Sequence, residues 1–442
     1  MIEFYNTLSR KKEKFKPIKK DSVGIYSCGP TVYWYAHIGN FRTYIFSDLL
    51  KRMLIYNGYK VKHVMNITDV DDKTISGSLK ENLPLKNFTR KYEKIFFEDL
   101  NEVNIIKPEI LRATDNVKGM IAIIKKLLEK GYAYKSDDGI YFSISKFKNY
   151  GKIAQLKKIK SSKERIKNDE YDKNNPRDFA LWKFYSKEDG DVFWNAEFGK
   201  GRPGWHIECS AMSMKILGEH FDIHTGGTDL IFPHHTNEIA QSESATGKKF
   251  VNYWMHGGFL TMKEGKMSKS LGNILTIRDL KEKGFLGLDY RYFCLTGHYR
   301  KLLEFSIENL EAAKNSLQRL KKNVLSLKDD KKTNKKYLAE FEKAISDDLN
   351  MPNALQVLWN LVRDENAEGK FKTIKKMDEV FGLNLFEKEK IEIPANVKKL
   401  ADERNEARNE KNWKRADELR EKISRLGFII EDNEKGYSLR KR

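Results

Sequence analysis

Cysteine is scarce in this chain, with three in 442 residues. So few thiols cannot build a disulfide framework, which excludes a small cross-linked secreted scaffold and points to a reducing compartment. Uninterrupted apolar runs are absent at the length of about 18 residues that a membrane-crossing helix needs. The opening residues, MIEFYNTLSRKKEKF, hold no apolar core of signal-peptide length. A cytoplasmic protein without a membrane partner is therefore expected. The chain also lacks a Walker P-loop, a GxGxxG after a strand and any tight CxxC pair, so the commonest phosphate and zinc-finger signatures do not apply. No internal repeat is evident.

What is present is a globular composition: 40% hydrophobic, 12% aromatic and 33% charged residues, in a chain long enough for about two to four domains. The net charge of +20 favours a polyanionic partner. Much of that excess is lysine in a chain also rich in Asn and Ile, a bias that the base composition of a gene can produce, so charge alone does not decide. Cys294 sits in the apolar stretch Tyr290–Leu295 and reads as a buried structural thiol.

Residues 22–28 read as a buried strand, Gly29-Pro30-Thr31 as a turn, and Phe41 to Tyr56 as a helix with Ile45, Leu49, Met53 and Tyr56 on one stripe. Gly58 is placed to end it, and Val61 to Met65 reads as the next strand. Strand, helix and strand in about 45 residues make a βαβ unit of a parallel sheet. Ligands of such sheets bind at the carboxyl ends of the strands, which puts Cys28 and the turn Asn66-Ile67-Thr68-Asp69 on one rim.

The expected fold class is α/β, with a doubly wound, Rossmann-like parallel sheet over 1–116 and 179–260 and an insertion at 117–178. The insertion reads as a helix (Val117–Lys130), a hairpin around Asp137-Asp138-Gly139 and an exposed charged run, KKIKSSKERIKNDEYDKNN. The sheet pattern resumes at Gly201-Arg202-Pro203-Gly204-Trp205. A junction follows at 261–307. Residues 308–390 read as an antiparallel helical bundle, with Leu310, Leu317, Leu320, Val324 and Leu327 at three/four spacing. Residues 391–442 form a small basic module: a helix stripe of Trp413, Ala416, Leu419, Ile423 and Leu426, a stop at Gly427, and a hairpin from Phe428 to Leu439.

Four side chains of metal-binding type stand beside motifs suited to a nucleotide: Cys28, Cys209, His234 and Glu238. Zinc takes thiolate and imidazole and tolerates carboxylate. His234 and Glu238, four apart on an expected helix, share one face. Two cysteines so distant in sequence are equally read as unrelated buried thiols, and His224 and His235 compete as ligands. His235, turned about 100° from His234, reads as a nucleotide contact or as support for a ligand. The segment His37-Ile38-Gly39-Asn40 opens the first helix, where free N–H groups and the macrodipole attract phosphate. Gly39 permits close approach, while His37 and Asn40 can donate to phosphate oxygens. Lys266-Met267-Ser268-Lys269-Ser270, bracketed by Gly265 and Gly272, suits a loop whose two lysines close on a triphosphate.

These motifs resemble the signatures of class I aminoacyl-tRNA synthetases. The flanks Cys28-Gly29-Pro30-Thr31-Val32-Tyr33, Asn66 to Lys73, Pro203 to Ser210 and Phe232 to Glu238 resemble cysteinyl-tRNA synthetases, and the likeness runs essentially end to end. It implies activation of L-cysteine by ATP, taken with Mg2+, to cysteinyl-adenylate, and transfer to the 3′-terminal ribose of tRNA-Cys. It implies one zinc ion per chain on Cys28, Cys209, His234 and Glu238, selecting cysteine over serine through the sulfur without an editing domain. Lys269 falls on the family's ATP lysine. His37, Asn40, Lys266 and Lys269 are expected to stabilise the transition state, with Gly39 and Asp229 also at the ATP. Gly29, Thr68, Trp205 and Asp229 are the expected contacts to the amino acid or ribose, and a monomer is expected.

Two positions depart from the family's pattern: Asn40 replaces the second histidine of the general class I motif, and Leu439 stands where an aromatic is expected. Three rivals remain in view. A cysteine-adenylating ligase acting on a small-molecule amine would not need the bundle and tail. A zinc hydrolase would show HExxH or HxxEH, and neither occurs. A non-catalytic RNA-binding homologue would have lost the lysines or the metal ligands, and all are intact.

Overall fold

The apolar run of residues 22–27 sits at the centre of a parallel sheet, and everything around the site is placed relative to it. In the computed structural model the described residues are 1–156, 177–262, 274–387, 394–433 and 436–441. They fall into two units, Met1–Leu385 and Phe386–Arg442.

The first unit opens with a hairpin of β1 (Glu3–Asn6) and β2 (Lys11–Lys14), followed by β3 (Ser22–Ser27), α1 (Ile38–Tyr56) and β4 (Lys60–Ile67). Next come α2 (Asp72–Lys80), α3 (Leu85–Glu102), β5 (Glu109–Arg112) and α4 (Val117–Glu129). Strands β6 (Ala133–Lys135), β7 (Gly139–Phe142), β8 (Phe179–Phe184) and β9 (Gly201–Pro203) lead to α5 (Trp205–Leu217), β10 (Phe221–Gly227), α6 (His234–Thr246) and β11 (Val251–Gly257). The five-stranded sheet has the order β11-β10-β3-β4-β5, every pair parallel. The chain leaves β3 toward β4 and β5 on one side, then returns to β10 and β11 on the other. The gap between the carboxyl ends of β3 and β10 is thus the topological switch point, where a ligand site is expected. Val23, Ile25 and Tyr26 are fully buried, as suits a strand covered on both faces. Gly58, at φ 87°, closes α1 in the left-handed conformation that favours glycine.

The insertion has different limits from those read in sequence. Strands β6 to β9 form a separate antiparallel sheet in that order, so 179–184 and 201–203 belong to it and not to the parallel sheet. Pro203 lies on its edge strand, where a missing N–H costs no ladder bond. At the other end, α4 packs its buried Met120, Ile124 and Leu127 into the core that also holds Ile207 and Met212 of α5. An amphipathic pattern reports that a face is buried, not what buries it. The charged run at 157–175 lies outside the described residues.

Beyond the parallel sheet, β12 (Leu260–Met262) pairs with β13 (Leu303–Phe305), with α7 (Ile277–Glu282) and α8 (Gly287–Leu295) between them. Helices α9 (Ile307–Leu325), α10 (Lys335–Ser346), α11 (Met351–Arg363) and α12 (Lys370–Phe381) follow. Leu310, Leu317, Leu320 and Val324 are buried, while Leu327 lies past the end of α9. The second unit contains α13 (Ala395–Asn409), α14 (Trp413–Arg425) and a hairpin of β14 (Phe428–Asn433) with β15 (Gly436–Lys441). Of its expected helix stripe, Ala416, Leu419 and Ile423 are buried, but Trp413 and Leu426 are exposed. They flank the ends of α14, beyond the reach of the small core of Val397, Ala401, Phe428 and Ile430. No described helix is long and apolar enough to cross a membrane.

A buried ion pair locks the first unit behind the sheet. Arg291 of α8 and Asp48 of α1 are both fully enclosed, with Nη2 to Oδ2 at 2.7 Å. Arg291 also donates to the carbonyls of Phe381 (2.6 Å) and Val103 (3.0 Å). Asp48 accepts from Arg52 (2.7 Å) and from the backbone N–H of Ile106 (2.9 Å). Burial works against the Asp48 charge, yet Arg291 and Arg52 hold its carboxyl below the usual range. Removing one partner leaves an uncompensated charge inside, so Arg291→Met is expected to cost about 3–5 kcal/mol in denaturant unfolding. A cost under about 1 kcal/mol would show that the pair is not what holds α8 to α1.

Candidate functional site

The four candidate metal ligands are delivered by three features of the switch point. Cys28 directly follows β3, its N–H bonded to the carbonyl of Thr225 on β10 (3.4 Å). Cys209 lies on α5, while His234 and Glu238 are one turn apart on α6. All four are buried. Cys28 Sγ is 4.0 Å from Cys209 Sγ and 3.8 Å from Glu238 Oε1; His234 Nε2 is 3.4 Å from Cys209 Sγ and 3.1 Å from Glu238 Oε1. A tetrahedral ion with bonds of about 2.0–2.3 Å separates its ligand atoms by roughly 3.3–3.8 Å. The quartet fits such an ion.

A second grouping, Cys28, His224, His235 and Glu238, also brings its ligand atoms within 4.8 Å. The carboxylate tells the two apart. Oε1 of Glu238 faces Cys28 and His234, whereas Oε2 accepts from His224 Nε2 at 3.0 Å. His224 is thereby placed on the far oxygen, orienting the carboxylate as supporting groups do around metal ligands. His206 does the same for His234, with the two Nδ1 atoms 2.9 Å apart. His235 is fully buried, its Nε2 3.3 Å from Cys28 Sγ and its Nδ1 2.7 Å from His256. His235 thus lies among the side chains of the cluster and is not among the residues lining the open cleft.

The electrostatics follow from burial against close partners. For Glu238, burial opposes ionisation, but His224 and His234 outweigh it and the carboxyl falls to about 2. Burial likewise opposes charge on His234, yet Cys209 and Glu238 raise it to about 10. Burial pushes the Cys28 thiol well up. Cys209 feels the same burial, but hydrogen bonding from Cys28 and the charge of His234 bring it to about 6.

An open cleft of about 330 Å³ runs from Cys28 to the start of α1, lined among others by Gly29, His37, Gly39, Asn40, Asp229 and Gly258. The HIGN segment is a helix cap. Asn40 N–H donates to His37 Nδ1 (3.2 Å) and His37 N–H donates to Asn40 Oδ1 (3.1 Å), a reciprocal capping box. This commits His37 Nδ1 and Asn40 Oδ1 to the backbone and holds the positive end of α1 against the cleft. Across from it, Ile38 N–H bonds the carbonyl of Leu275 at 2.9 Å, and His37 bridges to Thr276. Arg42 of α1 donates to the carbonyls of Gly258 (2.8 Å), Phe259 and Lys301 (both 2.5 Å). Lys266 and Lys269 lie outside the described residues.

The remaining candidates form the wall beside Cys28. Gly29 N–H donates to Asn66 Oδ1 (2.8 Å), Asn66 Nδ2 to Thr68 Oγ1 (3.1 Å), and Thr68 Oγ1 to Glu208 Oε2 (2.8 Å). Thr68 is thus buried with its proton committed, while Asp229 lines the cleft. Trp205, at the head of α5, lays its ring 4.5 Å from that of His234, tilted by 32°. Asn66, in the turn expected on this rim, carries the scaffold with Glu208, His206 and His256, and reading the sequence assigned a role to none of the last three. Only the position of Glu208, directly before Cys209, hinted at it. Burial raises the Glu208 carboxyl well above its usual range.

Over residues 14–315 the chain matches the family described as tRNA synthetases class I (C) catalytic domain, and over 391–440 the cysteinyl-tRNA ligase anticodon binding domain. The chain belongs to the class I cysteine–tRNA ligase family. It is 45% identical to the cysteine–tRNA ligase of Protochlamydia amoebophila, over 100% of this chain and 98% of that one. With that of Brachyspira hyodysenteriae it shares 46% identity over 100% and 99%. Among solved structures it is similar to Mycobacterium tuberculosis methionyl-tRNA synthetase in complex with methionyl-adenylate, with a TM-score of 0.59 at 15% identity, covering 82% of this chain and 90% of that one. It is also similar to the leucyl enzyme of Agrobacterium radiobacter K84, with a TM-score of 0.58 at 10% identity, covering 84% of each. These two likenesses establish the shared class I fold. Members of this family use ATP, and the buried Cys/His/Glu cluster is of the kind that holds a metal.

One residue of this ligase's cleft can be tested by geometry alone. A Cβ on Gly29 would lie 1.8 Å from the carbonyl oxygen of Asn66 and 2.9 Å from Met65 Cγ. Gly29→Ala must move backbone, so a loss of about 1–3 kcal/mol in thermal unfolding is expected. Unchanged stability would show that the turn after β3 is not constrained by the Asn66 strand.

Proposed function

We propose that this chain is a cysteine–tRNA ligase: it activates L-cysteine with ATP and Mg2+ to cysteinyl-adenylate, then transfers the cysteinyl group to the 3′-terminal ribose of tRNA-Cys. The observation that carries this reading is the adjacency of the Cys28–Cys209–His234–Glu238 cluster to the capped start of α1 within one cleft, in a chain with the family's catalytic and anticodon-binding regions. The second region also disfavours a ligase acting on a small-molecule amine. Zinc is the ion that suits two thiolates, an imidazole and a carboxylate. Bound there, it would supply a soft acid that favours a substrate thiol over a hydroxyl.

The chain's own residues then divide the work. The wall of Gly29, Asn66, Thr68 and Glu208 fixes the shape of the amino-acid pocket, with Trp205 against His234 as its aromatic side. Asp229, two residues past the end of β10, would take the ammonium group or a ribose hydroxyl. The amino-acid carboxylate attacks the α-phosphate and pyrophosphate leaves. The positive end of α1, presented by Gly39 and held by the His37–Asn40 cap, stabilises the phosphate charge, together with Lys266 and Lys269. We read 1–116 and 204–260 as the catalytic sheet domain, with the helices after 307 and the module after 385 holding the tRNA; the chain is proposed to act as a monomer in the cytoplasm.

The decisive assay is cysteine-dependent exchange of pyrophosphate into ATP, followed by charging of tRNA. Exchange without charging would favour a small-molecule ligase, and absence of both from zinc-loaded protein would overturn the reading. Cys209→Ser is expected to lose bound zinc by elemental analysis and to lose at least about 100-fold of its preference for cysteine over serine. Retention of both metal and preference would rule the zinc reading out.

Metal binding should also release protons, because ligands bind deprotonated. Near pH 7.5 Glu238 (about 2) and Cys209 (about 6) are already ionised. Cys28, raised by burial, and His234 (about 10) still hold theirs. Zinc uptake by apoprotein is therefore expected to release about two protons, and affinity to rise by roughly 100-fold per pH unit around neutrality. Calorimetry in buffers of differing ionisation enthalpy measures this, and release of none would contradict the ligand set.

A further inference from the structure

The rim of the catalytic cleft carries an aromatic surface that amino-acid activation leaves unused. Trp34, in the turn between Cys28 and the start of α1, lines the cleft mouth and is 47% exposed. Its ring meets Tyr35 edge-on at 5.3 Å and lies 6.1 Å from Tyr92 of α3. Tyr35 and Tyr92 pack at 5.7 Å, and Tyr92 is in turn buttressed by Phe88 at 5.2 Å. The tryptophan is thus held from one side by a cluster of edge-on and tilted rings while nearly half of its surface is exposed. Cations lie over the neighbouring rings: the Lys73 ammonium is 5.5 Å from the Tyr33 ring, and that of Lys91, paired with Glu81 at 2.9 Å, is 5.1 Å from the Tyr92 ring.

A large apolar ring left in water next to a catalytic cleft has a desolvation gain to make with a flat partner. A rigid aromatic with lysines near it matches an unpaired nucleotide, whose base stacks on the ring and whose phosphate is neutralised alongside. Two substrates of the proposed reaction carry such a base, ATP and the unpaired 3′ end of the tRNA. The lysines sit on α2 and α3, outside the residues that line the cleft. That favours a strand arriving from outside over a nucleotide held inside. We propose that Trp34 is the stacking surface for an unpaired base at the 3′ end of the tRNA, with Lys73 serving the adjoining phosphate. This inference rests on the tRNA-ligase reading above.

The test compares two reactions and two tRNAs with the full-length enzyme. Trp34→Ala is expected to raise the KM for tRNA in charging by about 5- to 100-fold, and Trp34→Phe to restore it to within about threefold. Pyrophosphate exchange, which needs no tRNA, keeps its KM for ATP. Against tRNA lacking its unpaired 3′ nucleotides, Trp34→Ala and the parent bind alike. Equal weakening toward whole and truncated tRNA overturns the proposal, because the ring would then act through the fold. A raised KM for ATP in exchange assigns the ring to the ATP base and also overturns it. Unchanged charging by Trp34→Ala does the same. Absence of exchange in the parent enzyme would instead be a failure of the ligase reading itself.

Discussion

A carboxylate withdrawn completely from water has to be enclosed by donors, and Glu238 sets the terms for everything near it. One oxygen needs His224, reached across from β10; the other needs His234, one turn back on its own helix. His234 is raised in turn by Cys209 and Glu238, so the cysteine that faces it becomes part of one electrostatic unit. The unit forms only where β3, β10, α5 and α6 converge, which is the point at which the sheet reverses its strand order. The position of the cluster is therefore a property of the topology, and its chemistry a property of the shared burial.

The same convergence brings two kinds of chemistry to one cleft. Residues immediately after β3 supply a thiol, and the helix that follows them supplies a positive end. The proposed selection of a sulfur and handling of a phosphate would thus fall within one short turn of chain. The wall from Gly29 through Asn66 and Thr68 to Glu208 makes that turn rigid, and two of its three hydrogen bonds cross between segments distant in sequence.

Much of this was legible in the chain. Residues 22–67 announce a βαβ unit by alternation, by a helical stripe and by Gly58, because local period and backbone preference act within a few residues. The ligand types and the spacing of His234 and Glu238 were equally visible, and so was the bundle beginning near residue 307. What escaped reading is long-range. His206, His224 and His256 owe their partners to packing, so no spacing reveals which imidazole orients which ligand. The edge strand Gly201–Pro203 is too short to show which sheet it joins, and α4 carried a clear apolar face with no indication that α5 covers it. Trp413 fits the period of α14 yet stands in water, since a small core runs out of surface before the helix ends.

The pairing of Leu275 and Thr276 with Ile38 and His37 has a consequence for kinetics. Lys269 is six residues upstream of Leu275, and six residues span at most about 20 Å. Chain connectivity alone would then keep the proposed ATP lysine within that reach of the start of α1, at an effective concentration on the millimolar scale. Once ATP is bound, the proposed meeting of that lysine with the phosphates would be an intramolecular event set by the length of the connection.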